Sequence, residues 1–213
     1  MGITHLSSLN VGGVPTQGMG GLPPFTGKWY FVDPAHGSDG NEGTSDSPFA
    51  TIYKAYAKGR SGYNDVVVLV GDGSTAGTAR MSVALAQTVD STATTGTVTW
   101  AKNAFHLIGL TAPTGVSARA RFAPPTGTYT AATFGNSGNM FNVTASGCVF
   151  HNFSIFAGFS TGATGCITWK DAGGRNYYGA VHIAGLADAA SAQDASSRVL
   201  RISGSGEHTF ENC

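Results

Sequence analysis

The chain has 213 residues, a formal net charge of zero and only 11% charged residues, against 41% hydrophobic ones. This composition excludes a disordered chain, which needs high net charge and few apolar residues. Lysine and arginine are scattered, so the basic patch of a nucleic-acid-binding protein is not expected. No run approaches the roughly twenty apolar residues of a membrane span. The length predicts one domain, with or without an arm.

Residues 1–27 differ in composition from the rest of the chain. Glycines and prolines interrupt this segment so often that neither a helical nor a strand period survives. A disordered tail is one interpretation, but a solvated tail holds few apolar residues and this segment holds many. We therefore predict an extended N-terminal arm that becomes ordered on a partner. The residues predicted to contact that partner are Ile3, Leu6, Leu9, Val11, Val14, Met19, Leu22 and Phe25.

A strand, a loop, a helix and a second strand are predicted next. Residues 28–32 predict the first strand, and the following run to Pro48 is rich in Gly, Ser, Asn and Asp, which is typical of a loop. Apolar side chains at helical spacing predict a helix near 48–58, with Ser47 as its cap. The apolar run Val66–Val70, followed by Gly-Asp-Gly, predicts a buried strand.

Further strands are predicted in the middle of the chain. The stretch 74–104 is rich in Ser, Thr and Ala and predicts a hairpin around Thr95-Gly96 and Trp100. Residues 105–109 predict a buried strand, and residues 119–123 predict a short one. A second polar stretch, 184–198, predicts a loop or short helix that bulges from the outside of the body.

Three stretches in the second half are versions of one another. Each reads apolar-polar-apolar-polar and has a glycine at the same offset; they are 141–144, 167–170 and 200–203, followed by Gly147, Gly173 and Gly206. A second short strand follows each glycine, around Phe150, Tyr178 and Phe210. Two of these strands share the phrase Phe-x-Asn, which ends at Asn152 and Asn212. A repeat of roughly thirty residues with two strands and a glycine bend predicts a solenoid of stacked coils.

Catalysis of glycan cleavage on such a stack requires acidic residues at equal offsets in successive coils, about 4.8 Å apart. At the offsets of the repeat, Ala145 precedes Asp171 and Ser205 follows it, so no carboxylate pair is predicted there. Further acids form a pair only if the stretch 184–198 folds back. We therefore predict no catalytic residue, no metal site and no cofactor.

Two other sets of side chains have structural interpretations. The histidines His151, His182 and His208 occur at similar places in their coils, which predicts a loose stacked column and not a metal site. The aromatic residues of this region are predicted to face the core and not to stack on sugars; they are Phe150, Phe153, Phe156, Phe159 and Trp169.

Acidic and amide side chains also cluster in the loop before the helix. They are Asp33, Asp39, Asn41 and Asp46. Their spacing does not match an EF-hand, which needs Asp-x-Asp-x-Asp-Gly and a glutamate at the twelfth position. We predict that these short side chains bond the backbone of their own turn.

A longer pattern extends from Trp29 to Val70. It consists of Tyr30-x-Val32-Asp33, Gly37-Ser38-Asp39-Gly40-Asn41-x-Gly43, Ser47-Pro48-Phe49-Ala50-Thr51-Ile52, Ala55 and Asp65-x-Val67-x-Leu69-Val70-Gly71. This pattern resembles the start of the pectate-lyase-like group, which is common in bacteriophage structural proteins and tailspikes. The resemblance implies an all-β fold, a right-handed parallel β-helix, whose open end is plugged by the helix near 48–58 so that a sheet edge is protected.

The arm and the body together resemble phage virion proteins of the decoration or head-fibre type. The resemblance implies a homotrimer on the virion, assembled in the host cytoplasm, with residues 28–213 as the β-helix domain and the arm 1–27 as anchor. The expected partner is the major capsid protein or another virion protein, and neither nucleic acid nor a membrane. The alternatives are a tailspike-type polysaccharide depolymerase or a fibre that binds a host glycan. Because the chain ends in mid-coil at Cys213, it is expected to be a fragment or the ordered part of a longer protein.

Overall fold

The computed structural model describes residues 10–11, 14–15, 25–71, 98–110, 120–122, 139–156, 167–184, 198–204 and 206–213. Within these ranges the protein is mostly β. The elements in chain order are β1 (Asn10–Val11), β2 (Val14–Pro15), β3 (Trp29–Val32), α1 (Ile52–Lys58), β4 (Val66–Val70), β5 (Val98–Trp100), β6 (His106–Leu110), β7 (Arg121–Phe122), β8 (Asn139–Val143), β9 (Val149–His151), β10 (Ser154–Phe156), β11 (Ile167–Asp171), β12 (Asn176–Gly179), β13 (His182–Ala184), β14 (Arg198–Ile202) and β15 (His208–Glu211). Within the described ranges, no helix is long and apolar enough to cross a membrane.

Three sheets of parallel strands contain every described strand from β3 onward. Their strand orders are β3-β4-β6-β9-β12-β15, β5-β8-β11-β14 and β7-β10-β13. The chain passes through the sheets in turn, as in β8, β9 and β10, and then repeats the order one strand further along with β11, β12 and β13. Parallel neighbours need a crossover connection, and here the strands of the other two sheets provide it. The fold is therefore all-β with in-register parallel sheets.

Aromatic side chains stack in the interior between the sheets. Phe150, Tyr178 and Phe210 are register partners on three neighbouring strands, and their ring centroids lie 5.1 and 4.8 Å apart. In the four-stranded sheet, Phe141 stacks on Trp169 at 4.1 Å. Four of these five side chains are fully buried, while Phe210 is 44% exposed. Since each buried ring contributes about 2 kcal/mol, this stack is the main apolar core.

The register confirms the second strands of the sequence repeat and corrects the first ones. The repeat aligned Phe141, Ile167 and Leu200, but in the structure Phe141 and Leu200 both pair with Trp169. The prediction for the middle copy was wrong by two residues. An alternating pattern cannot detect such a shift, because every second residue faces the same side of a strand. The contact between the rings of Phe141 and Trp169 is what decides the register.

The helix begins at Ile52, so the predicted start near residue 48 and the predicted cap at Ser47 were wrong. Phe49 instead forms a β-bridge with Val32. Thr51 is the N-cap, and its hydroxyl accepts a hydrogen bond from the backbone N–H of Lys54 at 3.2 Å. Asp39 in turn accepts bonds from the backbone N–H and the hydroxyl of Thr51, at 2.9 and 2.7 Å. This contact between loop and helix sets the point at which the helix starts.

Lys102 caps the other end of the helix. Its ammonium group donates to the carbonyl oxygens of Tyr56 and, at 2.6 Å, of Gly59. It also lies 4.4 Å from the centre of the Tyr56 ring, and burial lowers the pKa of Lys102. The last carbonyl groups of a helix lack partners within the helix, so a cation at this position stabilises the end of α1.

The corners of the chain path are marked by residues with positive φ. One set precedes strands of the six-stranded sheet and has φ values of 56°, 45°, 70° and 55°, at Asn64, Ala104, Gly147 and Arg175. A second set follows its strands, with φ values of 56°, 50° and 51°, at Asn152, Ala180 and Asn212. Glycine and asparagine tolerate this left-handed conformation, whereas other residues are strained by roughly 1 kcal/mol. The asparagine of the recurring Phe-x-Asn pattern therefore occupies a left-handed corner after a strand of the six-stranded sheet.

We expect Ala180→Asn to raise the free energy of unfolding by about 1 kcal/mol. Ala180 occupies a left-handed corner at which the two stacked copies both have asparagine, Asn152 and Asn212. The measurement is the urea midpoint of the variant against the parent protein. Ala172→Asn is the matched control, because Ala172 is exposed and has no positive φ. A midpoint for Ala180→Asn at or below the parent value contradicts the prediction.

The other predicted strands have mixed outcomes. The strand at 28–32 is confirmed as Trp29–Val32, and those at 105–109 and 119–123 are confirmed with shifted bounds as β6 and β7. The predicted hairpin around Trp100 was wrong, because the strand that contains Trp100, β5, pairs in parallel with β8. Thr95 and Gly96, and nearly all of the stretch 184–198, lie outside the described residues.

Candidate functional site

A polar groove follows the turns that connect the four-stranded sheet to the six-stranded sheet. We call it the turn groove; its volume is about 350 Å³, and it is lined by Thr144, Ser146, Ala172, Gly173, Gly174, Arg175 and Gly206. The lining combines small side chains, hydroxyl groups and one guanidinium group. This composition suits a polar ligand that lies along the stacked turns.

Hydrogen bonds between successive turns form the floor of the turn groove. The Ser146 hydroxyl accepts a bond from the N–H of Gly174 at 3.1 Å, and the N–H of Gly147 donates to the carbonyl of Gly174 at 3.0 Å. Gly173 has no room for a side chain, because a Cβ atom there would lie 1.8 Å from the carbonyl oxygen of Ala145. The close approach of two turns therefore requires glycine at this position.

Asp171 lies beneath the turn groove and is fully buried. One carboxylate oxygen accepts from the N–H of Gly173 at 2.7 Å. The other accepts from the Asn176 amide at 2.9 Å and from the Tyr178 hydroxyl. The Tyr178 oxygen itself accepts a bond from the Trp169 indole at 3.1 Å. A buried carboxylate is tolerated only when it is paired or hydrogen-bonded, and these donors provide that.

Asn176 and His208 extend this network into the neighbouring turns. The Asn176 amide oxygen accepts from the N–H of Cys148 at 2.9 Å, and its nitrogen donates to the carbonyl of Ala145 at 3.0 Å. A ring nitrogen of His208 lies 3.4 Å from the Asp171 carboxylate, and the His208 side chain is 5% exposed. The network therefore joins three successive levels of the sheet stack.

Two side chains of this region, Tyr178 and Cys148, have raised pKa values. Burial raises the pKa of Tyr178 far above its usual value, and the nearby Asp171 charge adds to this effect. Burial also raises the pKa of the Cys148 thiol to about 12. Neither group forms an anion near neutral pH, so neither is suited to act as a nucleophile.

We expect Tyr178→Phe to lower the free energy of unfolding by about 2 kcal/mol, because the buried Asp171 carboxylate then loses one of its donors. The matched control is Tyr177→Phe, since the Tyr177 hydroxyl donates to Glu211 in an exposed bond of 2.7 Å. The control should cost less than about 0.5 kcal/mol. Urea unfolding at neutral pH measures both variants, and equal losses would contradict the role assigned to the buried bond.

These contacts make Asp171 a structural residue. Its oxygens are occupied by protein donors and its side chain has no exposed surface, so it does not reach a ligand in the turn groove. Its register partners are Val143 and Ile202, and the predicted partners Ala145 and Ser205 were wrong. Neither actual partner is acidic.

The predicted histidine column is wrong. His182 pairs with Ser154, and His208 pairs with Asn176. His151 is opposite Gly179, so the three imidazoles occupy unrelated positions of two sheets. Relative to the register partners Phe150, Tyr178 and Phe210, the three histidines lie one residue after, four residues after and two residues before.

In the acidic loop before the helix, the prediction of bonds to the backbone of the same turn is confirmed for Asp33 and wrong for Asp39 and Asn41, which bond backbone further along the chain. The Asp33 carboxylate accepts from the backbone N–H of Ala35 at 2.9 Å, and the Asn41 amide donates to the carbonyl of Pro48 at 2.8 Å. Asp39 bonds the backbone of residue 50 as well as Thr51. Across the described ranges, no three His, Cys, Asp or Glu side chains converge as a metal site.

The prediction that aromatic residues face the core is confirmed for three of them. Phe150, Phe153 and Trp169 are fully buried. Phe159 lies outside the described residues, and the structure does not describe the side chain of Phe156.

The structure describes three of the eight arm residues that were predicted to contact a partner. Val11 and Val14 are register partners in the antiparallel pair of β1 and β2. Phe25 is 5% exposed and packs on the outer face of the six-stranded sheet against Val66, Val68 and Ile108. The remaining five lie outside the described residues: Ile3, Leu6, Leu9, Met19 and Leu22. The partner-binding role of the arm stays a prediction.

Sequence reasoning missed a second buried carboxylate, Asp65. It is fully buried and accepts two hydrogen bonds from the guanidinium group of Arg60, at 2.7 and 2.9 Å. A charged residue placed directly before a fully apolar strand was a signal for such a pair. The pattern identified the strand but assigned no partner to the carboxylate.

Neither the comparison with protein-family models nor the one with curated proteins finds a match. Among solved structures, the chain is similar to one described as "Rhamnogalacturonan lyase", at 21% sequence identity and a TM-score of 0.42. The similarity covers 76% of this chain and 37% of that chain. The chain thus spans little more than a third of the length of that protein.

Proposed function

We propose that this protein is a right-handed parallel β-helix that serves as a structural part of a bacteriophage virion. The observation that supports this most strongly is the in-register passage of the chain through three parallel sheets, with a continuous aromatic stack between them. Such a stack is a stiff rod, since each level packs on the one below it. In this proposal α1 plugs the end of the rod at β3, where it buries Ile52, Ala55 and Tyr56.

The buried polar groups are arranged for rigidity. Asp171 and Asn176 tie neighbouring turns together, and left-handed corner residues hold the bends. Networks of satisfied buried hydrogen bonds specify one packing and stiffen it. A spacer or decoration protein needs this property, because it must hold its shape while its ends are attached elsewhere.

We further propose that three copies associate and that their N-terminal arms attach the trimer to the major capsid protein or another virion protein. Low charge and zero net charge support extensive contact with other protein surfaces. The apolar arm residues support a weak contact for each copy, and three linked arms raise the overall affinity without a strong single contact. Light scattering should give a mass of three times 21.7 kDa; a monomer at micromolar concentration contradicts this.

Attachment through the arm is tested with the triple variant Ile3→Ser, Leu6→Ser, Leu9→Ser. Binding to capsids of the parent phage, measured by co-sedimentation, should fall by a factor of about ten or more, because the contact loses three buried aliphatic side chains. The matched control is Thr4→Ser, Ser7→Ala, Ser8→Ala, which changes the same segment without changing its apolar residues. Unchanged sedimentation of the triple serine variant contradicts the proposed attachment.

A second function, the binding of a host glycan, is favoured by the turn groove. Its hydroxyl groups and the Arg175 guanidinium lie along a cleft of about 350 Å³, which suits a short polar chain. Arg175→Asn removes the cation and keeps a residue that tolerates the positive φ of this corner. If the glycan proposal is right, a glycan-array signal of the parent protein is lost in this variant. Release of reducing ends from host surface glycans would instead indicate the depolymerase alternative.

A further inference from the structure

A series of side-chain oxygens ties the stacked turns together, and it ends at Gly174. The Ser61 hydroxyl accepts a hydrogen bond from the N–H of Asn103 at 3.0 Å, and the Asn103 amide accepts one from the N–H of Ser146 at 2.9 Å. The Ser146 hydroxyl then accepts from the N–H of Gly174 at 3.1 Å. We call these bonds the turn ladder. Gly174 has no side chain with which to continue it.

The N–H of Gly206 is the donor that the turn ladder leaves without an acceptor. Gly206 follows Gly174 in the stack of turns, because the residues three positions further along, Tyr177 and Thr209, are register partners. Within the described ranges, the N–H of Gly206 makes no hydrogen bond. A Cβ atom built on Gly174 would lie 3.7 Å from the nitrogen of Gly206 and 3.8 Å from the Ser146 hydroxyl oxygen. The turn groove therefore has space for one more acceptor oxygen beside this N–H.

Three cations border this part of the surface. Arg175 lines the turn groove. Lys170 and Arg201 are register partners on β11 and β14, and Lys170 faces outward because the adjacent Trp169 is fully buried in the core. Lys170 precedes Ala172, a residue of the groove, by two positions, or about 7 Å along the strand. In the part of the chain that the structure describes, none of the three cationic groups has an ion pair or a hydrogen bond. Like charges on neighbouring strands repel one another, so an anion that binds here would relieve the repulsion.

We propose that an acidic side chain of another virion protein completes the turn ladder. One oxygen of its carboxylate accepts from the N–H of Gly206 in the space beside Gly174, and the Arg175 guanidinium binds the other oxygen. Further acidic side chains of the same partner segment pair with Lys170 and Arg201. A side chain suits this position because the other acceptors of the ladder are side-chain oxygens. A carboxylate suits it because hydrogen bonds between charged groups are stronger than neutral ones.

An acidic polypeptide fits this surface better than a neutral glycan, which would leave all three cations without a counter-charge. The exposed Glu207 follows Gly206 directly and repels a carboxylate at that end of the turn groove. The acidic side chains of the partner are therefore expected on the side of Lys170. That the partner is a virion protein rests on the proposed function, whereas the binding of an acidic segment rests on the groove and its cations alone.

Fluorescence anisotropy with a labelled acidic peptide tests the binding chemistry. The probe is a peptide of alternating glutamate and glycine residues, and the reference is the same peptide with glutamine in place of glutamate. The full-length protein should bind the acidic peptide more tightly by a factor of about ten or more. An oligomer of glucuronic acid with the same number of carboxylates is the second probe. Equal affinity for the two peptides, or tighter binding of the sugar oligomer, overturns the proposal.

Gly174→Ser supplies the missing oxygen from within the chain. Gly174 has no positive φ, and the atom nearest to a Cβ there is the Cα of Gly206 at 3.3 Å, so a serine needs only a small shift. We expect the affinity for the acidic peptide to fall about tenfold, because the N–H of Gly206 then has an internal acceptor. Gly40→Ser is the matched control, since a Cβ at Gly40 meets nothing closer than 3.6 Å, and it should keep the parent affinity. Unchanged peptide binding by Gly174→Ser contradicts the proposal.

The double variant Lys170→Gln, Arg201→Gln tests the cations without any change in the turns. Its affinity for the acidic peptide should fall about fivefold, as two exposed ion pairs predict. The control is Lys28→Gln, Lys58→Gln, which removes the same charge from two exposed side chains near the other end of the stack. Equal losses in the two double variants would show a general attraction between charges and overturn the proposal.

Co-sedimentation with capsids separates the site from its role in the virion. Capsid binding should fall in Gly174→Ser together with the affinity for the acidic peptide. If peptide binding falls and capsid binding does not, the acidic-ligand site is upheld and the virion partner is refuted.

Discussion

Replacement of Asp65 by asparagine is expected to lower the free energy of unfolding by about 3 kcal/mol. The Asp65 carboxylate accepts four hydrogen bonds. They come from the N–H of Lys28 at 2.7 Å, from the N–H of Arg60 at 3.0 Å, and from two atoms of the Arg60 guanidinium at 2.9 and 2.7 Å. An asparagine amide replaces one acceptor oxygen by a donor, so some of these N–H groups lose their partner in a buried site.

The loss affects the stability of the whole domain, because Asp65 holds three segments of the chain together. Its bonds join the start of β3, the segment after α1 and the start of β4, where the sheet stack begins. Burial alone would raise the pKa of Asp65, but the hydrogen bonds from Arg60 and from the backbone of Lys28 outweigh it and lower the pKa below its usual value. The carboxylate therefore remains charged, and its contribution is present above pH 4 and lost as the pH falls further.

Guanidinium unfolding at pH 7 measures the effect of Asp65→Asn. Asp33→Asn is the matched control, because Asp33 also accepts backbone hydrogen bonds, from Ala35 and His36, but in an exposed turn. The control should cost less than about 1 kcal/mol. A loss for Asp65→Asn no larger than that of the control would show that the buried pair is not important for stability.

Acidification from pH 6.5 to pH 4 is expected to remove about 3 kcal/mol of stability through one side chain, His106. Burial lowers the pKa of His106 from 6.5 to about 4. Between these values the unfolded chain binds the proton and the folded protein does not. Stability therefore falls as the pH falls through this window, and the contribution of His106 changes little above about pH 7.5.

The geometry shows why the folded protein excludes the proton on His106. Its Nδ1 atom accepts a hydrogen bond from the N–H of Val149 at 3.0 Å, so it has no room for a hydrogen of its own. Its Nε2 atom lies 3.3 Å from the amide oxygen of Asn64 and carries the hydrogen of the neutral ring. Protonation of Nδ1 would break the bond to Val149 and leave a charge beneath the Phe25 ring, 4.4 Å away.

The test is the pH dependence of the urea midpoint for His106→Gln, which can still accept and donate one bond each. This variant should lose most of the slope between pH 6.5 and pH 4. His36→Gln is the control, because the His36 side chain is 75% exposed, and it should keep the slope. A slope for His106→Gln equal to that of the parent protein rules out His106 as its origin.

The fold was predictable to the extent that its signals are local. Val66–Val70 is an apolar run in the sequence and a buried strand in the structure. The register partners Phe150, Tyr178 and Phe210 were found because each is an aromatic residue in a short apolar stretch that follows a glycine bend. The helix start was misplaced because its true cap, Thr51, is selected by contact with the distant Asp39.

The candidate site was less predictable than the fold. The sequence indicated that Asp171 has no acidic partner, but it did not identify its hydrogen-bond donors. These donors depend on the register of β11, which the alternating pattern left uncertain by two residues. The small residues of the turn groove were visible as glycines in the sequence. Their arrangement as one cleft required the stacking of three turns.

The sequence by itself determined the alternation of the strands, the aromatic residues of the core and the corner positions where asparagine or glycine accepts a left-handed backbone. These properties depend on each residue and its immediate neighbours. Tertiary structure alone decided the register of Trp169 on Phe141, the pairing of Asp65 with the N–H of Lys28, 37 residues away, and the burial of His106. Such contacts join residues that are brought together only when successive levels stack, so no local pattern carries their partner's identity.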